Sequence, residues 1–325
     1  MSNGFTSRKF YKIVCSSLLV MSLVACGMES RDHTNPENDV QQEAQIKTKT
    51  LVDAIGNKVQ VPVNPKRIIA SYLEDHLVAL GVTPVAQWSV NDGTSIQNYL
   101  QDALKDVPVI AHDLPFETVQ SYAPDLILME SAAMVEGDKY AQYSKIAPTY
   151  VVDKEVNNDW RAELLQIGEV LGMKDQAEDV LKQYDEKIAT VKAEIAKQGE
   201  MPSTAAIWLV GGSFFVVGEN VSSGAVMYED LGLKVPEVVK EISASATANW
   251  SAISLEKLVT LDADYIFLIN SDGEKPEVLS DKLWQSVPAV KAGHVYTYSP
   301  NESWLYSGAI ANTQIIDDIQ KVFTK

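Results

Sequence analysis

The chain has 325 residues, of which 46% are hydrophobic, and its formal net charge is −17. This length is enough for two α/β lobes, and the acidic excess argues against nucleic acid and against direct adhesion to anionic lipid. Cys15 and Cys26, the two cysteines, both precede the region that is expected to fold. The sequence therefore predicts no disulfide, cysteine nucleophile or cysteine-ligated metal in the folded region.

The N-terminal residues have the pattern of a secretory signal. Arg8, Lys9 and Lys12 precede an apolar run at 13–25 that is too short for a permanent membrane span. The run ends in Leu-Val-Ala-Cys, which resembles the lipobox of bacterial lipoproteins and implies a diacylglyceryl group on Cys26. The alternative is a cleaved, soluble protein with an incidental cysteine. Removal of residues 1–25 leaves 24 basic and 44 acidic residues, a formal charge of −20.

Residues 26–47 are predominantly polar and predict a flexible tether. Short apolar segments then alternate with amphipathic ones, which is typical of βαβ units and a parallel sheet. The first half predicts strands at 67–71, 83–88, 107–111 and 126–129, with helices at 75–80 and 115–122.

Two helices are predicted between the halves, one from Asp159 to about Gly172 and a longer one at 175–197. The second half predicts strands at 204–210 and 214–218 and a helix at 223–231, and the segments 255–261, 265–270 and 294–298 continue the alternation. We therefore predict an α/β fold with mostly parallel sheets: an N-terminal lobe (48–172), a bridging helix (173–198) and a C-terminal lobe (199–325). A ligand cleft between lobes joined in this way would close only slightly.

Several segments, in this order, are similar to siderophore-binding proteins of ABC importers. They are DAIGN at 53–57, PKRII at 65–69, ALGVTPV at 79–85, Glu117 with YAPDLI at 122–127, APT at 147–149, YEDLG at 228–232 and PAVKAGHVY at 288–296. The resemblance implies two lobes bridged by a long helix. It also implies that the protein captures a ferric siderophore outside the cell and delivers it to a membrane permease.

Open α/β sheets bind ligands at the carboxyl ends of their strands, and this rule selects the candidate ligand-binding residues. Arg161 is added because it begins the bridging segment, where it either pairs with a nearby carboxylate or reaches the cleft. The candidates are Tyr72, Trp88, Ser89, Glu130, Ser131, Arg161, Trp208, Phe214, Phe215, Trp304 and Tyr306, with Asn270 and Ser271 after the strand at 265–270. Taken singly, an aromatic residue more often belongs to the core than to a ligand-binding surface, but several at strand ends together favour the cleft.

These residue types suit an organic ligand, because a siderophore already fills the coordination sphere of iron. We therefore predict no cofactor and no direct coordination of iron by the protein. No arginine follows Arg161, whereas a strongly anionic catecholate or carboxylate complex favours several guanidinium groups. This favours a hydroxamate or mixed hydroxamate-citrate complex, although lysines leave the anionic classes open.

Three alternatives stay open at this point. Haem or cobalamin capture uses the same fold. A zinc or manganese importer protein would need His76, His112 and His294 to converge, together with carboxylates. An enzyme is disfavoured because the sequence contains no G-x-S-x-G elbow, H-E-x-x-H motif or P-loop.

In the resembled family, an acidic residue near the tip of each lobe meets basic residues on the permease. The matching positions are Asp75, with Glu74 beside it, and Glu229. Capping of its own helix is the alternative for Asp75.

Overall fold

The computed structural model describes residues 47–154, 159–274 and 276–324. The strands are β1 (Thr48–Val52), β2 (Lys58–Pro62), β3 (Ile68–Ala70), β4 (Gln87–Ser89), β5 (Val109–Ala111), β6 (Leu126–Ser131), β7 (Thr149–Asp153), β8 (Thr204–Val210), β9 (Ser213–Val217), β10 (Trp250–Ile253), β11 (Tyr265–Asn270) and β12 (Val295–Tyr298).

The α-helices are α1 (Glu74–Ala79), α2 (Gln101–Leu104), α3 (Phe116–Ser121), α4 (Lys139–Ile146), α5 (Trp160–Leu171), α6 (Lys174–Lys197), α7 (Ser222–Ala225), α8 (Glu237–Ser243), α9 (Leu255–Val259), α10 (Pro288–Lys291) and α11 (Ala309–Phe323). Short 3₁₀ turns lie at Asn98–Leu100, Ala132–Val135, Glu277–Ser280, Trp284–Ser286 and Ser303–Leu305, and a π-helical turn, Val226–Asp230, continues α7.

The first lobe is built on parallel strands in the order β7-β6-β3, extended by β4 and β5 through a parallel bridge between Ile69 and Ala86. In β6 the four residues from Leu126 to Met129 are all fully buried, as expected for a strand covered on both faces. β1 and β2 form a separate antiparallel hairpin. This lobe confirms the predicted alternation of strands and helices, with boundaries shifted by a few residues.

The second lobe contains a five-stranded sheet in the order β10-β9-β8-β11-β12. β8, β11 and β12 are parallel, whereas β9 runs antiparallel to both β8 and β10. The turn between β8 and β9 is Gly211-Gly212, whose φ angles of 58° and 72° favour glycine. The Asp272 carboxylate accepts both of their backbone N–H groups at 2.7 Å. The sheet is therefore mixed.

Two consecutive helices, α5 and α6, lie between the two sheets in the chain. The Asp159 carboxylate accepts the Arg161 backbone N–H at 2.9 Å, which confirms the predicted cap of α5. α6 has 24 residues and buries one face through Ala177, Tyr184, Val191 and Ile195, as its helical spacing predicts. This is the long helix that the sequence predicted.

The C-terminal helix α11 packs against both α6 and α1. Lys187 of α6 pairs with Asp317, and Gln320 donates to the Glu194 carboxylate at 2.7 Å. From the first lobe, the Asp75 carboxylate accepts the backbone N–H groups of Ile310 and Ala311 at 3.0 and 2.9 Å. One hydrophobic cluster runs from β3 and β6 through α5 and α6 into the second sheet. Within the described ranges, none of the helices is long and apolar enough to cross a membrane.

Candidate ligand-binding cleft

A cavity of about 640 Å³ lies between the residues that follow the first sheet and those that follow β9 and β12. Its lining combines aromatic, amide and charged side chains. The lining residues are Tyr72, Leu73, His76, Gln97, Glu130, Asp159, Trp160, Arg161, Glu163, Asn220, Val221, Ser222, Ala225, Glu229, Asp230, Asn249, Trp250, Leu305, Tyr306, Ser307 and Asn312. A volume of this size fits a ligand of a few hundred daltons or more.

Aromatic rings from both lobes meet at one side of the cavity. The ring of Tyr72 lies 5.1 Å from Trp88 and 6.5 Å from Tyr306, whose other neighbour is Tyr99 at 5.0 Å. Tyr72 has a φ of 65°, a left-handed conformation that costs energy for an aromatic residue and is often found at functional sites. Burial raises the pKa of the Tyr72 hydroxyl, so it stays a neutral hydrogen-bonding group.

The half-buried side chain of Arg161 is held in place by its neighbours. Its guanidinium donates to the Asp230 carboxylate at 2.7 Å and lies 4.6 Å from the ring centre of Trp160 and 5.0 Å from that of Tyr184. The Tyr184 hydroxyl donates to the other Asp230 oxygen at 2.7 Å. The charge of Arg161 is thus matched by a carboxylate and spread over two aromatic faces.

A second polar pair is buried deeper in the lining. His76 Nε2 lies 3.2 Å from Glu163 Oε2, and the two side chains are 4% and 9% exposed. His76 Nδ1, Glu163 Oε1 and the side-chain oxygen of Asn312 have no hydrogen-bond partner among the described residues. A buried polar atom without a hydrogen bond destabilises the folded protein unless a ligand or a water molecule supplies the missing partner.

The side of the cavity that the second lobe provides is a tight turn rather than a regular helix. Ser222 has a φ of 48° at the start of α7, and the π-helical turn after α7 places Asp230 against Arg161. π-helical turns occur often at functional sites. The sequence predicted one continuous helix at 223–231, and the structure divides it at this point.

The structure brings some of the predicted ligand-binding residues together. Tyr72, Glu130, Arg161 and Tyr306 line the cavity, and Trp88 packs edge-on against Tyr72. Trp208 and Phe215 lie one layer away: the Trp208 ring is 6.1 Å from that of Trp250, and its indole N–H donates to Ser271. Asn270 donates to the Gly273 carbonyl oxygen.

Other predicted ligand-binding residues belong to the core. Trp304 is fully buried, stacks on Phe267 and donates its indole N–H to Asp318 at 3.1 Å. Phe214 is buried and stacks on Trp284. Ser89 donates to the Ile110 carbonyl oxygen, and Ser131 is fully buried. The structure corrects the placement of these four residues, because none of them lines the cavity.

The docking prediction is corrected at two of its three positions. Glu74 and Asp75 are 0% and 2% exposed, so neither forms part of the surface. Glu74 accepts the Trp88 backbone N–H at 2.6 Å, and burial raises the pKa of its carboxyl to about 8. Asp75 caps α11 of the other lobe rather than its own helix. Glu229 is exposed at the edge of the cavity.

Strand-end reasoning missed several of the lining residues. Trp250 begins β10, and Trp160 begins α5, so neither follows a strand. The amides Gln97, Asn220, Asn249 and Asn312 lie in loops or in the first turn of α11. The signal that would have found some of them is the polar, turn-rich composition of 218–223 directly after β9.

The three histidines of the folded region have different surroundings. His76 pairs with Glu163, His112 is exposed after β5, and His294 stacks on Tyr265 with its ring nitrogen 3.1 Å from the Asp264 carbonyl oxygen. Within the part of the chain that the structure describes, no group of three or more histidine, cysteine or acidic side chains is arranged to hold a metal ion.

Two α/β lobes joined by a long helix, with a cleft between them, define a solute-binding protein. The family model described as "Periplasmic binding protein" matches residues 69–302, and the chain belongs to this family. It is 29% identical over 290 residues to the iron(3+)-hydroxamate-binding protein FhuD of Bacillus subtilis, covering 87% of this chain and 88% of that one.

A second relative is the probable siderophore-binding lipoprotein YfiY of B. subtilis, 26% identical over 325 residues, which covers 95% of this chain and 98% of the relative. The solved structure of FhuD2 from Staphylococcus aureus with bound ferrioxamine B is 25% identical and superimposes with a TM-score of 0.67 over 80% of this chain and 98% of that one.

Proposed function

We propose that the protein captures a ferric siderophore in the cleft, with hydroxamate or mixed hydroxamate-citrate complexes preferred. The observation that carries this proposal is the cavity of about 640 Å³ lined by aromatic rings and amides from both lobes. Tyrosine and tryptophan offer flat apolar contact with a polar group at one edge, which suits the organic shell of a chelate. The names of the relatives, which bind iron(3+)-hydroxamate or are probable siderophore-binding proteins, point the same way.

Iron is the cargo in this proposal, and the siderophore supplies all of its ligands. The residues around the cavity then act by shape, stacking and hydrogen bonding. Two groups of the lining fit that role: the ring cluster of Tyr72 and Tyr306, and the amides of Gln97, Asn220 and Asn249. No catalytic step is needed.

Tryptophan fluorescence tests this proposal because Trp160 and Trp250 line the cavity. The purified protein is titrated with ferric hydroxamates, ferric catecholates, ferric citrate, haem and cobalamin. We expect saturable quenching at the lowest concentrations of a hydroxamate-containing complex, and weaker quenching by its iron-free form. Quenching by haem or cobalamin alone would reject the siderophore assignment in favour of one of those ligands.

Delivery is the second part of the proposal. We infer that diacylglyceryl-Cys26, which lies outside the described residues, holds the protein at the outer face of the cell membrane, where it meets the permease of an ABC importer. The naming of YfiY as a lipoprotein supports the anchor. Glu229 is the exposed member of the predicted docking set.

Charge reversal at Glu229 tests docking. Because Glu229 also borders the cavity, the change could weaken ligand binding, so uptake must be measured at a ligand concentration that saturates the variant. Under that condition Glu229→Lys should lower uptake into cells several-fold while the protein remains loaded. Normal uptake by the loaded variant would remove Glu229 from the docking surface.

A further inference from the structure

The lining of the cleft is acidic. Its carboxylates are Glu130, Asp159, Glu163, Glu229 and Asp230, and its basic side chains are Arg161 and His76. Even with His76 protonated, five negative groups face two positive ones. A cavity of one sign attracts ligands of the opposite charge.

Arg161 does not reverse this balance. Its guanidinium already donates to Asp230 at 2.7 Å, and that carboxylate is also held by the Tyr184 hydroxyl. An anionic ligand would have to compete with a short, partly buried ion pair to reach the guanidinium. The Arg161 guanidinium is therefore already paired within the protein.

Two further observations point to a ligand that donates hydrogen bonds. Glu163 and Asn312 line the cavity, are both buried, and each has a side-chain oxygen without a partner among the described residues. Tyr72, Tyr306 and Trp250 also line the cavity, and aromatic ring faces attract ammonium groups. Acceptors, carboxylates and ring faces are together what a protonated amine requires.

The net charge of a ferric chelate depends on its chemical class, so an acidic cleft distinguishes between classes. Iron(III) bound by three singly charged hydroxamates is a neutral core, so a free amine on the ligand makes the whole complex cationic. Tris-catecholate complexes are strongly negative, and an acidic cleft disfavours them.

We propose that the cleft is selective for the cationic subclass of ferric hydroxamates, those that carry a protonated amine. This rests on the proposed function and narrows its substrate class. The amine is bound on the acidic side of the lining, to which Glu130, Glu163, Glu229 and Asn312 contribute.

A pair of ligands that differ by one charge tests the proposal. Ferrioxamine B has a terminal amine, and its N-acetylated derivative keeps the same iron core without that charge. We expect the purified protein to bind ferrioxamine B on the order of tenfold more tightly than the acetylated complex at low salt. The difference should shrink when ionic strength rises from about 0.05 M to about 0.5 M.

Two carboxylates of the lining supply the matched variants. Glu130→Gln with Glu229→Gln should bring the two dissociation constants to within a few-fold of each other by weakening ferrioxamine B alone. Glu117→Gln, an exposed change on α3 outside the cavity, should keep the full difference.

The outcomes separate the two proposals. Equal affinity of the wild-type protein for the two complexes, with both bound, overturns the cationic preference and leaves siderophore capture standing. An unchanged ratio in the double variant overturns the role of the lining carboxylates. Quenching by neither complex overturns the cationic preference, and siderophore capture is overturned with it only if no other ferric hydroxamate, ferric catecholate or ferric citrate quenches the protein.

Discussion

Trp304 and Tyr306 are two positions apart and have opposite environments. Trp304 is fully buried on Phe267, whereas Tyr306 lines the cavity beside Tyr72 and Tyr99. The sequence selected both as cleft residues because both lie in the segment that follows the predicted strand at 294–298. Nothing in that local pattern distinguishes which ring turns inward, since the choice depends on α11 and on the sheet beneath it.

This pair gives a matched test. Tyr306→Ala should weaken binding of a ferric hydroxamate by about 1–3 kcal/mol and change the unfolding midpoint little, since the ring is only partly buried. Trp304→Ala should instead lower the free energy of unfolding by about 3–5 kcal/mol, because it leaves a large cavity and removes the indole N–H that donates to Asp318 Oδ2.

Denaturant unfolding and ligand titration on both variants separate the two effects. Trp304→Phe serves as the control, because it keeps most of the buried volume and should bind normally. If Trp304→Phe lost affinity for the ligand without losing stability, Trp304 would have to be a ligand-binding residue after all.

Glu74 makes folding stability depend on pH. Burial raises its pKa from 4.5 to about 8, so the folded state binds a proton that the unfolded chain releases at lower pH. The contribution of this protonated carboxyl group to the free energy of unfolding is fully present below about pH 4.5 and is lost as pH rises to about 8. Glu74→Gln removes this effect and keeps a carbonyl oxygen for the Trp88 N–H.

Relative to the wild type, Glu74→Gln should therefore gain stability as pH rises from about 5 to about 8, by on the order of 2–4 kcal/mol. Urea unfolding at several pH values measures the difference. Glu117→Gln, at an exposed site, should show no such trend. A difference between Glu74→Gln and wild type that is constant over this range would contradict the assignment.

At the scale of elements, the strand-end rule selected residues that meet at the cavity in the first lobe, but not in the second. The first sheet is parallel, so its strand ends share one edge, and Tyr72, Trp88 and Glu130 meet there. In the second sheet β9 runs antiparallel, and the cleft borders the end of β9 rather than the Gly211-Gly212 turn at the end of β8. The apolar run of β9 indicated a strand but not its direction.

The long helices were easier to predict than the sites. The apolar spacing of α6 and the cap at Asp159 are local patterns, and both were confirmed. The link between α1 and α11 was missed because it joins Asp75 to backbone groups 235 and 236 residues away. No local pattern encodes such a contact.

Asp75 should therefore stabilise α11 rather than α1. Gly308 precedes α11, and an added Cβ there would lie 2.4 Å from the Asp75 carboxyl group, so the approach requires glycine. Asp75→Ala leaves two amides of the first turn without an acceptor but also relieves the desolvation of a buried carboxyl. We expect a net loss of about 1–2 kcal/mol in the free energy of unfolding.

Hydrogen exchange localises the effect. The amides of Ile310 and Ala311 should lose protection in Asp75→Ala, while those in the middle of α1 keep theirs. Asp106→Ala, an exposed change after α2, is the control. Loss of protection confined to α1 would show that Asp75 caps its own helix instead.

At the scale of the whole molecule, the lobes are tied together in three ways. α6 connects them in the chain, α11 packs against both α6 and α1, and one hydrophobic cluster runs through both sheets. Separation of the lobes would expose part of that cluster and break the cap on α11. Ligand binding is therefore expected to need little movement of the lobes, so the cleft of the unliganded protein already has most of its binding geometry.

We propose that this cleft recognises an intact ferric chelate by its organic shell. Native mass spectrometry of the purified protein, mixed with a ferric hydroxamate and its iron-free form, measures what is bound. We predict one complex per chain with the mass of iron plus siderophore. In Tyr306→Ala, a smaller fraction of the protein should carry the complex. Iron bound without the siderophore, or no adduct at all, would contradict the claim.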